Sequence, residues 1–269
     1  ILRFGLAEKL LKKLLPYLRR IGIGPILGMA LTVSLGSSKA GAALLAAALE
    51  EEKISRDAAL WGTLSLSFPA YLRRWPSTML MAVGMAGTAG GIFALILLLR
   101  SLGRFVFVIF KSRHGEQENS EALSPAGRTQ RMGSMYKRLF RTLPIAWTFF
   151  AAAFILMPRL ETLLRENLGG SFLPLAGWGV ASAAIASVAA SLAMAGGSLA
   201  AGDLTIAQTV FALLLGNGLG YATRAMRQNA GYFFGLFPGG LAKSILLWSM
   251  ATMLPFVLLS LFLAALPLL

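Results

Sequence analysis

The chain has no cysteine and a single histidine, His114, among its 269 residues. Without thiols there is no disulfide, no thiolate zinc site and no iron–sulfur ligation, and one histidine in a polar stretch has no ligand partner beside it. Carboxylates are scarce too: 11 Asp and Glu stand against 25 Lys and Arg, a formal charge of +14. No paired catalytic carboxylates, nucleophile–base pair or metal cluster is visible, so neither an enzyme nor a cofactor is expected. A nucleotide motor is also missing. Gly36-Ser37-Ser38-Lys39 lacks the GxxxxGK[ST] spacing of a phosphate loop.

What is present is apolar. Hydrophobic residues make up 57% and charged residues 13%, with a mean hydropathy of +0.71, against about 45–50% and about 25% in soluble domains. Apolar runs near 26–36, 79–99, 143–157, 174–200, 204–223 and 245–269 approach or reach the length that crosses a hydrocarbon core about 30 Å thick. They are continuous rather than alternating, which predicts helices and excludes a barrel. The expectation is about eight helical segments with no sizeable soluble domain.

The positive charge is clustered. Nine Lys and Arg fall between Arg100 and Arg141 and six between Arg3 and Arg20, the pattern of cytoplasmic flanks on anionic lipid rather than of a nucleic-acid surface. From Leu2 to Leu18 leucines share one helical face, which reads as an interfacial helix and not a signal peptide.

Breaks inside the apolar runs carry the functional reading. Gly36-Ser37-Ser38-Lys39-Ala40-Gly41 interrupts the first run, and a break at membrane depth is tolerated only where protein or a wet cavity satisfies the freed backbone. Asp57–Ala70 is short and is expected to end at Pro69. Ser77–Leu99 is expected to cross, with Gly84, Gly87, Gly90 and Gly91 giving close helix contacts. In the second half Asn217, Arg224, Arg227, Gln228, Asn229 and Lys243 surround a break expected to end at Asn229, and Asp203 is expected to cap the helix after it.

Adding 150 to first-half numbers aligns the halves without a gap from about 42 to 100. Ser55 meets Thr205, Trp61 meets Phe211, Tyr71 meets Tyr221, Arg74 meets Arg224 and Gly90 meets Gly240. If both basic segments are cytoplasmic, the first half crosses an even number of times, and the Leu143–Met157 helix delivers the second half inverted.

The stretch Gly36–Gly41 with its following acidic turn, and Ser67-Phe68-Pro69-Ala70-Tyr71-Leu72-Arg73, resemble the nucleoside-recognition or Gate domain. That domain occurs in the membrane part of ferrous-iron transporters, in spore maturation proteins A and B, and in stand-alone membrane proteins. Gly216-Asn217-Gly218 through Arg224 to Gly239-Gly240 looks like a further copy. The resemblance implies a transport-like function without fixing the substrate. The iron-transporter relatives carry cysteine in the first broken helix where this chain has Ser37 and Ser38, so iron is not expected as cargo.

The fold expected is all-α: a polytopic helical membrane protein with two related, inverted repeats containing broken or re-entrant helices. Its parts are an interfacial helix (1–20), a first repeat (21–110), a basic cytoplasmic loop (111–142), a connecting helix with a short amphipathic piece (143–170) and a second repeat (171–269). The expected function is transport or facilitation of a small polar, anionic or nucleoside-like solute across a bacterial inner membrane by alternating access. The site would be lined by Ser37, Ser38, Lys39, Ser67, Asn217, Arg224 and Asn229. Lys39 matters because a cation within an apolar span costs about 2.5–3.5 kcal/mol unless it meets a partner or a wet cavity. Partners expected are the lipid bilayer, the solute and a second copy or second membrane subunit. A membrane scaffold that recruits a partner through the basic loop, and a protein that moves anionic lipid headgroups, are the alternatives.

Overall fold

A computed structural model describes residues 23–112 and 173–268, apart from the side chains at 185, 186, 222, 223 and 227, and the described residues are helical without a strand. The 1–20 helix, the loop from residue 113, the Leu143–Met157 crossing and the Arg159–Leu168 piece lie outside them.

Helix α1 (Pro25–Gly36) opens on Pro25, whose missing N–H costs nothing in a first turn. It stops at Ser37, extended at φ −158° and ψ 120°, and α2 (Ser38–Glu50) begins at once, with Ser37 Oγ accepting from the Ala40 N–H. The break is one residue wide, narrower than the six-residue interruption expected. The two helices fold back on each other. A Cβ on Gly41 would lie 2.7 Å from the Ala30 carbonyl oxygen, eleven residues that in a straight helix would span roughly 16 Å.

α2 ends in a Schellman motif: the Lys53 N–H donates to Ala48 O at 2.9 Å and the Glu52 N–H to Leu49 O at 3.1 Å, with Glu52 at φ 57°. A side chain in that left-handed region costs about 1–2 kcal/mol. Glu52→Gly is therefore expected to raise the unfolding free energy by about 1 kcal/mol, seen as a higher denaturant midpoint in detergent. An unchanged or lower midpoint would contradict the account.

α3 (Arg56–Ser65) is capped by Ser55 Oγ, which accepts from the Ala58 N–H at 3.1 Å. It ends at Ser65 rather than at Pro69. α4 (Ser67–Ser112) starts after Leu66 and holds Pro69 in its first turn, where a missing N–H is tolerated.

The single crossing expected for Ser77–Leu99 is instead a reversal. The backbone leaves the helix at Ala86 (φ −125°, ψ 19°) and Gly87 (φ 55°, ψ −135°). Trp75 Nε1 donates to Ala94 O at 3.1 Å across 19 residues, which a straight helix would stretch over about 28 Å. Phe68 and Phe105 stack with centroids 4.8 Å apart. Of the glycines expected to make close contacts, Gly90 and Gly91 do: a Cβ on Gly90 would overlap the Ala82 carbonyl and one on Gly91 would lie 3.3 Å from Val83 Cγ2, whereas Gly84 and Gly87 meet open space.

The same succession returns 150 residues later. α5 (Leu175–Ala186) stops at Ser187, φ −152° and ψ 126°, whose Oγ accepts from the Ala190 N–H at the start of α6 (Val188–Ala200). Ser191 Oγ donates to Val180 O at 2.8 Å, the place where Gly41 meets Ala30. Gly202, φ 79°, stands where Glu52 does, and the Asp203 N–H donates to Ser198 O at 3.0 Å. α7 (Ile206–Leu236) and α8 (Gly239–Ala265) meet at Phe237-Pro238, and a short 3₁₀ turn (Leu266–Leu268) follows. They too lie side by side, since a Cβ on Gly218 would sit 2.8 Å from Val257 Cγ1.

Two expectations change here. Asp203 is exposed and is not the cap. Thr205 Oγ1 accepts from the Gln208 N–H at 3.3 Å while Gln208 Oε1 accepts from the Thr205 N–H at 3.0 Å, a capping box. The break expected to end at Asn229 lies instead at Phe237-Pro238, because α7 runs unbroken past Asn229.

The described chain divides into two compact units: 23–74, 101–112 and 233–249 form unit one, and 75–100, 173–232 and 250–268 form unit two. Unit one is thus the α1/α2 hairpin, α3, both ends of α4 and the α7/α8 turn. Unit two is the α5/α6 hairpin, most of α7 and α8, and the turn of α4. In unit one Trp61 packs on Trp248, centroids 5.2 Å apart. In unit two a Cβ on Gly196 would overlap the Met85 carbonyl.

By length and composition, Arg56–Ser112 and Gly239–Leu268 are long and apolar enough to cross a membrane. The exposure pattern of α8 fits lipid. Met253, Val257, Ser260 and Ala264 are buried, while Leu254, Leu258, Leu259, Phe262 and Leu263 are each more than half exposed. Water would penalise so contiguous an apolar stripe. The buried Ser260 hydroxyl donates to its own helix at Val257 O, 2.8 Å.

Candidate functional site

The residues singled out from the sequence fall into both units. Ser37, Ser38, Lys39 and Ser67 belong to unit one, and Asn217, Arg224 and Asn229 to unit two. In unit one Ser37 and Lys39 are exposed at the hairpin turn and Ser38 is half-buried. The Ser67 hydroxyl donates to Leu64 O at 2.9 Å, which commits its proton and leaves its lone pairs. Arg74 Nε donates to Ala70 O at 3.4 Å on its own helix. Arg104, 7% exposed, donates from Nη2 to Ser249 Oγ at 3.3 Å. Lys243 is exposed on α8.

Unit two holds the most organised polar arrangement. Asn217 is 7% exposed in an otherwise apolar stretch of α7. Its Oδ1 accepts from Arg100 Nη2 at 2.6 Å, and its main-chain oxygen accepts from Arg224 Nη2 at 2.7 Å. Arg224 also donates from Nη1 to Ala184 O at 2.7 Å. Ala184 lies among the last residues of α5, whose terminal carbonyls have no helical donor. The Ser187 N–H already takes Ala183 O, and Arg224 takes the next. A guanidinium suits this task because its planar fork presents two donors to two oxygens at once and favours the negative end of the helix dipole.

The structure thus brings Asn217 and Arg224 together and adds Arg100. Asn229 lies twelve residues past Asn217 along α7, roughly 18 Å from it. Arg100 was missed from the sequence because it opens the basic cluster that runs to Arg141 and reads as a loop flank. In fact α4 continues to Ser112, and Arg100 and Arg104, one turn apart, are both buried. The legible signal was the apolar Phe105–Phe110 stretch that follows them. Among the described residues of unit two the sole carboxylate is Asp203, exposed before α7.

The chain is 24% identical over 267 residues to an uncharacterized protein of Methanocaldococcus jannaschii, covering 92% of this chain and 82% of that protein. No family model and no solved structure matches it.

Proposed function

We propose that the protein is a multi-pass membrane transporter or facilitator for a small polar, anionic solute, working by alternating access. The observation that carries this reading is the pair of short helical hairpins, α1/α2 and α5/α6, each turning on one serine. Helices of 12 and 13 residues reach only about 18–20 Å at 1.5 Å per residue, short of a core about 30 Å thick. Paired back to back, they enter a bilayer and return to the same face. Their turns then lie at depth, where irregular backbone is tolerated only beside protein or a wet cavity.

The topology supports an inverted arrangement. The α1/α2 hairpin returns to its starting side, and the arms of α4 cross and return, so residue 112 ends where residue 23 began. One crossing between 113 and 172 would invert the second half in the cytoplasmic membrane. The chain's lack of cysteine makes this directly testable. Single cysteines at Glu51 and Ala201, in the equivalent turns at the hairpin bases, should react with a membrane-impermeant thiol reagent from opposite faces of sealed vesicles. Reaction from the same face would refute the inversion.

For transport itself, the protein in liposomes should take up at least one of inorganic phosphate, a nucleoside or a nucleoside monophosphate saturably. Lys39→Ala and Arg224→Ala should each lower that uptake at least tenfold. If both leave uptake unchanged, the roles assigned to these two residues are wrong; if the wild type moves none, a scaffold is the better reading.

A further inference from the structure

We propose that the N-terminus of α5, together with the buried indole N–H of Trp178, binds a phosphate group, carried either by a lipid headgroup or by free phosphate. The site lies within unit two and shares no residue with the solute path assigned above.

The first turn of α5 has donors to spare. Pro174 stands at its N-cap, and no side chain caps the turn. The Gly177 and Trp178 N–H groups turn back to Pro174 O at 2.9 and 3.3 Å. That leaves the N–H groups of Leu175 and Ala176 at the positive end of the helix dipole without a helical acceptor. Leu175 is 67% exposed, so this end of the helix is reached from outside.

Trp178 supplies a third donor. It is only 7% exposed, and its Nε1 finds no acceptor among the described residues. A buried tryptophan normally satisfies its indole N–H, since an unmade hydrogen bond costs stability that a phenyl ring would not forfeit. Side chains on a helix lean toward its N-terminus, so a ring at the fourth position lies back over the first turn. The indole N–H is thereby carried to the end where the main-chain donors stand.

The recurrence at 150 residues isolates this feature. α1 and α5 have the same length and stop at equivalent serines. Yet α1 opens with Pro25 where α5 has Leu175, and Gly28 stands where Trp178 does. Each of those replacements deletes a donor, one on the main chain and one on the indole. A hairpin of this kind therefore forms without either, and their presence in the second half answers a different need. Asp203, at the same end of the α5/α6 hairpin, is exposed, so its repulsion of an anion is weak in water. Three N–H donors beside partial positive charge match the several acceptor oxygens of a phosphate.

The test is equilibrium binding to the full chain in phosphatidylcholine nanodiscs. Inorganic phosphate is titrated at constant ionic strength, and a second set of discs carries phosphatidylglycerol, with retained lipid counted by native mass spectrometry. Trp178→Phe keeps the ring and removes the N–H, and should weaken binding at least fivefold with the protein still monodisperse. Leu175→Pro copies position 25 at a place where proline is tolerated, and should weaken it at least threefold. Trp248→Phe, in unit one, should leave it unchanged. Loss of phosphatidylglycerol retention in the two α5 variants, without phosphate binding, would support the inference with a lipid headgroup as the source. Binding of neither probe by the wild type overturns it. So does a Trp178→Phe protein that melts higher and binds as before, because the indole would then only fill space. Uptake enters none of these readouts, so a failure here leaves the transport reading standing, and a wild type that moves no solute leaves this site standing.

Discussion

Gly216→Leu is expected to prevent accumulation of folded protein, or to lower the unfolding free energy by about 3 kcal/mol or more. Overpacking a filled site usually costs about 1–3 kcal/mol, and here the first added atom already has nowhere to go. A Cβ on Gly216 would overlap the Ala181 carbonyl, and would lie 2.6 Å from Ala184 Cβ and 2.7 Å from Ala181 Cα. Those atoms are backbone and a methyl group with no rotamer to escape into. α5 and α7 would have to separate, and Arg224 would lose its reach to Ala184. The control is Gly84→Ala, whose added methyl meets nothing within 4 Å and should gain about 0.5–1 kcal/mol from reduced unfolded-state freedom. Denaturant unfolding in detergent and size-exclusion profiles read both. Equal behaviour of the two variants would refute the packing assigned to Gly216.

Arg224→Met is the second large effect, a loss of about 3 kcal/mol. A hydrogen bond from a charged donor contributes about 1.5–3 kcal/mol, and Arg224 makes two at 2.7 Å, one to Ala184 O and one to Asn217 O. The sum is reduced by the side-chain entropy that a freed residue regains. Ala184 O suffers more, because it lies at the broken end of α5, whereas Asn217 O sits mid-helix in α7. Lysine carries the charge but not the fork, so Arg224→Lys should recover about half. A melting temperature for Arg224→Met equal to wild type would show that the bridge contributes nothing.

The sequence made some of this plain and hid the rest for physical reasons. The helical character and the break beside Ser37 were legible because composition and small polar residues act locally. The reversal at Ala86-Gly87 was not, since Ser77–Leu99 is apolar throughout and hydropathy does not distinguish one long crossing from two arms of a hairpin. Gly87 looked like one more packing glycine, and only its φ of 55° separates it from Gly84. Thr205 with Gln208 was a readable capping box, overlooked because Asp203 is the stronger capping residue by type. Arg100 shows the limit of charge counting: a cation four residues from another reads as a flank until the helix is known to continue past both. Arg224 and Asn217 were found, but their mutual geometry depends on a main-chain carbonyl that no residue type announces.

The make-up of the two units has a consequence for biosynthesis. Unit one begins near residue 23 yet includes 233–249, and unit two includes 75–100 from well before its own hairpin. Neither can close while the ribosome is still working on the first half, so the early segments must wait for a partner about 150 residues downstream. Pairings of such long sequence separation form slowly. The half-made chain lacks the packing partners of its early helices in the meantime, a window in which aggregation competes with folding.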